Sequence, residues 1–140
     1  MGIKKYIADI DNTITNAYGI DLSTRATGSN MGAADILVFS IYGLQTTSSA
    51  ELSRALVRFP IDDISTDRAA GTIPSPGGVT FYLRLFNARH SEQLPQNFTV
   101  NVLAVSSSWQ EGFGLDMETY EDKTKDNIEG SNWMYANNSA

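Results

Sequence analysis

Near the middle of the sequence lies Ser53-Arg54-Ala55-Leu56-Val57-Arg58-Phe59-Pro60-Ile61, in which two arginines alternate with apolar residues. In an extended chain, Ala55, Val57 and Phe59 share one face and the arginines lie on the other, because side chains alternate with a period of two. The proline has no backbone donor, so it ends the hydrogen-bonded ladder of a strand. This run therefore predicts a β-strand.

A helix is the alternative for the same run. Leu52, Ala55, Leu56 and Phe59 also fit a helical stripe, and Ser49 is a suitable N-cap. Periodicity alone does not separate the two structures. The β-branched and aromatic residues just before the proline favour the strand.

Other apolar runs, separated by polar segments rich in Gly, Ser, Asn and Pro, also predict strands. These runs are residues 5–10, 35–42, 79–86 and 98–105. Side chains on their apolar faces are expected to be buried between two sheets, together with one from the central run. The expected core residues are Phe59, Phe81, Leu83, Val100 and Val102.

Short strands, many turns and no long amphipathic helix predict an all-β fold. We expect an antiparallel β-sandwich of the jelly-roll type, with long loops and an irregular C-terminal segment. With 140 residues, we expect a single domain spanning 1–140.

Composition narrows the class of protein. The sequence has no cysteine, which excludes disulfides and thiolate metal sites, and it shows neither a signal peptide nor a membrane span. The net charge is −6, and residues 111–130 hold seven acidic residues against two lysines. Without a basic cluster, we expect no nucleic-acid partner and no membrane partner.

Six short motifs follow one another along the chain: Asn16-Ala17-Tyr18-Gly19, residues 53–59 with Ile61-Asp62, residues 81–85, residues 100–105, Ser108-Trp109-Gln110-Glu111-Gly112 and Gly130-Ser131-Asn132-Trp133. In order and spacing they resemble the jelly-roll modules called DNRLRE or disaggregatase-related domains, which are akin to some carbohydrate-binding modules. The chain is most similar to versions in structural proteins of tailed-phage virions. That resemblance implies a capsid- or tail-associated jelly roll without catalysis, assembled in the host cytoplasm.

Catalytic signals are weak. His90 is the only histidine and lies in the polar loop 87–91, where an exposed histidine is the ordinary case. Ser107 and Ser108 lack the Gly-x-Ser-x-Gly turn of a hydrolase nucleophile. We therefore expect no enzymatic activity.

Oxygen ligands for a hard cation occur in two places, although neither spacing matches an EF-hand loop. Solvated loop acids are the more common role, so we expect no cofactor, with Ca²⁺ as the alternative. The two groups are Asp9 and Asp11 with Asn12 or Asp21, and Asp116 with Glu118.

The leading function is therefore a non-enzymatic virion structural protein, either a capsid decoration (cement) or a tail-associated subunit. We expect it to be a homo-oligomer that binds major capsid or tail proteins on the virion. The alternative is a carbohydrate-binding or adhesion module, in which tryptophans form a platform for a glycan. Candidate binding residues are Tyr18, Glu118, Glu121, Asp122 and Trp133, and candidate structural anchors are Arg54, Phe59, Trp109 and Glu111, the last as an acceptor of backbone N–H groups.

Overall fold

The sheet of this protein joins two strands that lie far apart in the sequence, β1 (Ile10–Thr15) and β2 (Ser53–Arg58). The computed structural model describes residues 2–19, 21–38, 40, 50–89, 97–116 and 130–137. The strands are antiparallel, since Asp9 N–H donates to Arg58 O (3.0 Å) beside one end and Asn16 N–H donates to Leu52 O (3.1 Å) beside the other. The strand predicted for the central run is thus confirmed over Ser53–Arg58.

The first strand differs from the prediction. The strand expected over residues 5–10 is wrong, because β1 begins only at Ile10 and continues through a mostly polar run. Its polar side chains Asn12, Thr13 and Thr15 are buried, and Thr15 Oγ1 donates to Leu52 O (2.9 Å). Burial of partnered polar side chains gives a strand without apolar alternation.

A helix follows β2 directly, where the sequence indicated only a polar connection. α1 spans Ile61–Ala69. Asp62 and Asp63 lie in its first turn, where negative charge interacts favourably with the helix dipole. Gly71, with φ +71°, follows the C-cap, and its N–H donates to Arg68 O (3.1 Å). No residue of α1 is buried.

The remaining predicted strands are wrong wherever the structure describes them. Residues 35–38, 79–89 and 97–105 contain no strand, and the last two ranges make no backbone hydrogen bond to other described residues. Apolar alternation produces a strand only where a partner strand supplies hydrogen bonds and a second layer covers the face. Among the described residues, neither condition is met for these two ranges.

The expected core is corrected for the same reason. Phe81, Leu83, Val100 and Val102 are 64%, 49%, 44% and 72% exposed, and Phe59 is half-buried. The buried side chains are mainly polar instead, and apart from Ile73, which follows α1, they come from β1, the loop after it and the segments that contain Asp116 and Ser131. They are Ile14, Ala17, Ala26, Met31 and Ile73 among apolar residues, and Asn12, Thr13, Thr15, Ser29, Asn30, Asp116, Ser131 and Asn132 among polar ones.

The chain forms two compact units. Unit 1 comprises Met1–Ile10 and Val57–Glu92, and unit 2 comprises Asp11–Leu56 and Gln93–Ala140. Within the described residues, strands outweigh the one short helix, which is compatible with the all-β class. None of the helices described there has the length and apolarity needed to cross a membrane.

In unit 1, Asp67 on α1 binds the N-terminal segment. Lys4 Nζ lies 2.8 Å from its carboxylate, and Tyr6 Oη donates to it over 2.7 Å. The bonds from Lys4 and Tyr6 lower the pKa of Asp67. Partial burial, followed by the hydrogen bond to the Asp67 carboxylate, raises the pKa of Tyr6 from 10.0 to about 12.

Tyr6 is therefore expected to titrate later than an ordinary tyrosine. Because its pKa is raised in the folded state, its contribution to stability is fully present below pH 10.0 and is lost as the pH rises through about 12. Ultraviolet titration of tyrosinate should show a late step that Tyr6→Phe removes and Asp67→Asn moves to lower pH. Tyr82→Phe, which removes an exposed tyrosine, should leave that step in place; a Tyr6→Phe curve that retains it would contradict the assignment.

Candidate functional site

A cleft of about 220 Å³ opens in unit 2, beside the face of the sheet that carries Ile14 and Leu56. Its other walls come from two chain segments that contain both tryptophans. The lining residues are Ile14, Arg54, Leu56, Val105, Ser107, Trp109 and residues 131–136. Aromatic walls with a few polar groups are typical of a binding site.

Arg54 and Trp133 contact each other at this cleft. The guanidinium carbon of Arg54 lies 4.3 Å from the centroid of the Trp133 ring, which is a cation–π contact. Arg54 is exposed on β2 and forms no ion pair with any described residue. One face of the indole is therefore covered by the guanidinium, and a ligand can stack only on what remains.

Backbone hydrogen bonds bring the two tryptophan-bearing segments side by side. Ser131 N–H donates to Gln110 O, and Gln110 N–H donates to Ala136 O, both over 2.9 Å. Trp133 N–H donates to Thr27 O (3.1 Å), which attaches the same segment to the loop after β1. Trp109 and Trp133 are both half-buried as a result.

Asn12, at the centre of β1, connects the cleft to the interior. Its Nδ2 donates to both the carbonyl oxygen and Oγ of Ser131, each over 2.9 Å. Its Oδ1 accepts the N–H of Met31 (3.0 Å). One fully buried amide thus joins β1, the following loop and the C-terminal segment.

Asn30 forms the second centre of this buried network. Its Oδ1 accepts the N–H groups of Gly32 (3.2 Å) and Gly114 (2.8 Å). Its own N–H donates to Asp116 Oδ2 (3.0 Å), and Asp116 N–H donates to Asn30 O (3.2 Å). Asp116 is therefore a buried structural acceptor in the described chain and not the solvated loop acid that we expected.

Glu111 receives a backbone donor from β1. Asp11 N–H donates to Glu111 Oε1 over 3.0 Å, although the residues lie 100 positions apart in the sequence. Partial burial, and then the negative charge of Glu111, raise the pKa of Asp11. The hydrogen bond to Glu111 thus holds the turn that follows Trp109 against β1.

Glycines allow the segments of the network to approach closely. At Gly112 a Cβ atom would run into Asn30 Oδ1, and at Gly130 it would run into the backbone of Glu111. Gly130 also has φ +95°, a conformation that other residues rarely adopt. The glycines of the Trp-x-Glu-Gly and Gly-Ser-Asn-Trp motifs are thereby explained by packing.

The other candidate binding residues lie elsewhere. Tyr18 is 43% exposed and carries the Arg25 guanidinium carbon 4.1 Å from its ring centroid, and it does not line the cleft. Phe59 follows β2 in unit 1. His90, Glu118, Glu121 and Asp122 lie outside the described residues.

The acids considered for Ca²⁺ have other partners. Arg58 forms a bidentate pair with Asp9 and lowers the pKa of that carboxyl. Asp21 accepts the N–H groups of Thr24 and Ser23, which hold its pKa well below the usual range. Within the described ranges, no three carboxylate, histidine or cysteine side chains gather as a metal would require.

Sequence reasoning missed the buried network. Asn12 and Asp116 are considered above only as oxygen ligands of a cation, and no local pattern marks Asn30 or Ser131 as buried. The available signal is the tripeptide Gly-Ser-Asn, which occurs at 28–30 and again at 130–132, since buried amides need close backbone donors. The local sequence does not indicate which of these segments contact each other.

Chemically, the cleft offers binding groups. Among the described residues that line it, the polar groups are a guanidinium, three hydroxyls, an amide and two indole N–H groups, from Arg54, Ser107, Ser131, Tyr135, Asn132, Trp109 and Trp133. Their arrangement suits hydrogen bonding and stacking. No protein-family model, no curated protein and no solved structure matches this chain.

Proposed function

We propose that this chain is a structural subunit of a phage virion that acts through protein–protein contacts and without catalysis. The observation that carries the proposal is the exposure of large apolar side chains in two separate ranges. In residues 79–86 these are Phe81, Tyr82, Leu83, Leu85 and Phe86, and in residues 98–105 they are Phe98, Val100, Val102, Leu103 and Val105.

The size of this surface supports a role in assembly. In residues 79–86 alone, three aromatic side chains that are 64% to 86% exposed present on the order of 450 Å² to water. Leu83 and Leu85 add to that area. Contiguous apolar surface beyond a few hundred Å² marks an interaction site in soluble proteins. A partner that covers these ranges would gain the hydrophobic stabilisation that the described chain lacks there.

The resemblance to jelly-roll modules of tailed-phage virions supports the proposal that the partner is a phage structural protein. The proposal is therefore a jelly-roll subunit that decorates or cements a capsid, or is part of a tail, and that contacts major capsid or tail proteins.

Within the acidic segment 111–130, the proposed docking residues for that partner are Glu118, Glu121 and Asp122, since Asp116 is buried and Glu111 accepts the N–H of Asp11. Complementary charge at an interface speeds encounter and excludes wrong partners, and its effect falls as the Debye length shrinks to about 3 Å at 1 M salt. Wild-type attachment to capsids or tails of the source phage, measured by co-sedimentation, should weaken with added salt. The triple variant Glu118→Gln, Glu121→Gln, Asp122→Asn should fold normally and attach about tenfold less well.

A matched control changes the net charge equally. Asp35→Asn, Asp62→Asn and Asp63→Asn together neutralise exposed acids outside the acidic segment and should leave attachment unchanged. If the Glu118, Glu121 and Asp122 variant decorates particles as well as wild type at every ionic strength, the segment is not the docking surface. The arginine-bearing face of β2 would then be the better candidate.

Carbohydrate binding is the second proposal, and the cleft is the observation that favours it. Trp109, Trp133 and Tyr135 line it together, as a stacking platform for sugar rings requires. Against this reading, Arg54 already covers one face of the Trp133 ring. Saturable quenching of tryptophan fluorescence by a glycan, abolished in Trp133→Ala, would support carbohydrate binding over the virion role.

A further inference from the structure

We infer that the cleft in unit 2 binds the carboxyl-terminal end of a peptide whose last side chain is apolar. The inference goes beyond the proposed virion role, because it concerns the cleft alone and requires no particle. Its starting observation is the position of a guanidinium beside apolar walls. Arg54, Ile14 and Leu56 line the same cleft of about 220 Å³.

The guanidinium of Arg54 gives the cleft a positive charge, and no acidic side chain is among its described lining residues. Arg54 is exposed, and its side chain has neither an ion pair nor a hydrogen bond with any described residue. It lies over the Trp133 ring, 4.3 Å from the ring centroid. A guanidinium in contact with a ring face still presents N–H donors at its edge, where two of them fit the two oxygens of a carboxylate. The charge and the donors together indicate a ligand that carries a carboxylate.

The remaining walls favour an apolar group directly beside that carboxylate. Arg54 and Leu56 are two positions apart on β2, so their side chains share one face of the sheet. Ile14, Val105 and Met134 add further apolar side chains to the cleft. An apolar group that enters there leaves water without giving up a hydrogen bond.

A peptide end meets both requirements within one residue. Its terminal carboxylate and its last side chain are bonded to the same Cα atom, so the two groups enter a small cleft together. Sites for drug-sized ligands measure about 300–1,000 Å³, and this cleft is smaller. The exposed hydroxyl groups of Ser107 and Tyr135 also line it and suit hydrogen bonds to the preceding peptide group.

A sugar fits the same walls less well. Sugar rings stack on open aromatic faces, and Arg54 covers one face of the Trp133 ring. The net charge of −6 opposes the approach of any anion, yet exposed charges farther away than about 8 Å are largely screened at physiological ionic strength. The guanidinium inside the cleft is therefore the charge that a bound carboxylate meets.

Tryptophan fluorescence tests the inference, because both tryptophans of the sequence line the cleft. The first two probes are acetyl-Gly-Gly-Leu with a free carboxyl group and the same peptide as its C-terminal amide. We expect the free peptide to change the emission saturably at millimolar concentrations, and the amide to bind at least about tenfold more weakly. Acetate, which has no apolar side chain, and glucuronate, an acidic sugar, are the other probes and should also bind more weakly.

Arg54→Ala should weaken binding of the free peptide by about tenfold or more and remove its advantage over the amide. Arg54→Lys keeps a cation at the cleft but lacks the planar fork, so its affinity should be intermediate. Arg84→Ala is the matched control, because Arg84 also lies over a ring, that of Phe86 at 4.7 Å, and does not line the cleft. It should leave binding unchanged, and the denaturant midpoints show whether each variant is folded.

Equal binding of the free peptide and its amide, or no change in emission with either, overturns the inference. Binding of acetate as tight as that of the peptide overturns it as well, because the apolar walls would then contribute nothing. Saturable binding of glucuronate but not of the peptide overturns it in favour of an acidic sugar. Particle attachment of the wild type is measured separately: attachment without peptide binding refutes only this inference, and peptide binding without attachment refutes only the virion role.

Discussion

Gly130→Ala is expected to lower the free energy of unfolding by about 2–5 kcal/mol. Gly130 has φ +95°, which costs a residue with a Cβ atom about 1–2 kcal/mol. The new methyl group would also run into the carbonyl of Glu111 and the Cα of Gly112. Both obstacles are backbone, and overpacking of this kind costs about 1–3 kcal/mol. Chemical denaturation followed by tryptophan fluorescence measures the effect.

Gly77→Ala is the matched control for that substitution. Gly77 has nearly the same torsion, φ +92°, and a Cβ built there meets nothing within 4 Å. It should therefore show the torsional cost alone, about 1–2 kcal/mol. The difference between the two variants isolates the close approach of the segments that contain Glu111 and Gly130. Equal losses at the two positions would mean that the approach contributes nothing.

The sequence predicted β2 because a local rule decides it. Alternation of apolar residues up to Pro60 favours an extended run, and the structure contains a strand there. The same rule does not detect β1, because Asn12, Thr13 and Thr15 are buried although they are polar. Their partners lie in residues far along the chain, so no local pattern marks them as interior.

For the runs 79–86 and 98–105, the sequence pattern predicts strands that the structure does not contain. Their alternation is as regular as that of β2, yet they contain no strand in the structure. A strand depends on hydrogen bonds to a neighbour and on a covering layer, and neither is a property of the run itself. Apolar patterning therefore predicted strands in two segments whose side chains are largely exposed.

The candidate site was predictable in part. Arg54, Trp109 and Trp133 were singled out from the sequence, and all three line the cleft. The cation–π contact between Arg54 and Trp133 was not predicted, because it depends on the position of the C-terminal segment over β2. Composition identifies the groups that can bind, whereas long-range hydrogen bonds decide which of them meet.

Asn30→Ala is expected to lower the free energy of unfolding by about 2–4 kcal/mol. Substitution removes the acceptor of the Gly32 and Gly114 N–H groups, and an unsatisfied buried donor costs about 1–3 kcal/mol. Gly114 is buried, so water cannot replace the lost acceptor without rearrangement. The loss should also loosen the segment that follows Trp109 and shift the tryptophan emission to longer wavelength.

Asn97→Ala supplies the comparison, since it removes an exposed asparagine from the same compact unit, unit 2. Exposed substitutions away from such networks usually change stability by less than about 0.5 kcal/mol. If Asn30→Ala and Asn97→Ala have the same denaturant midpoint, the amide network does not stabilise unit 2. A large loss of stability in Asn30→Ala without any change in tryptophan emission would mean that the amide network and the cleft are stabilised independently.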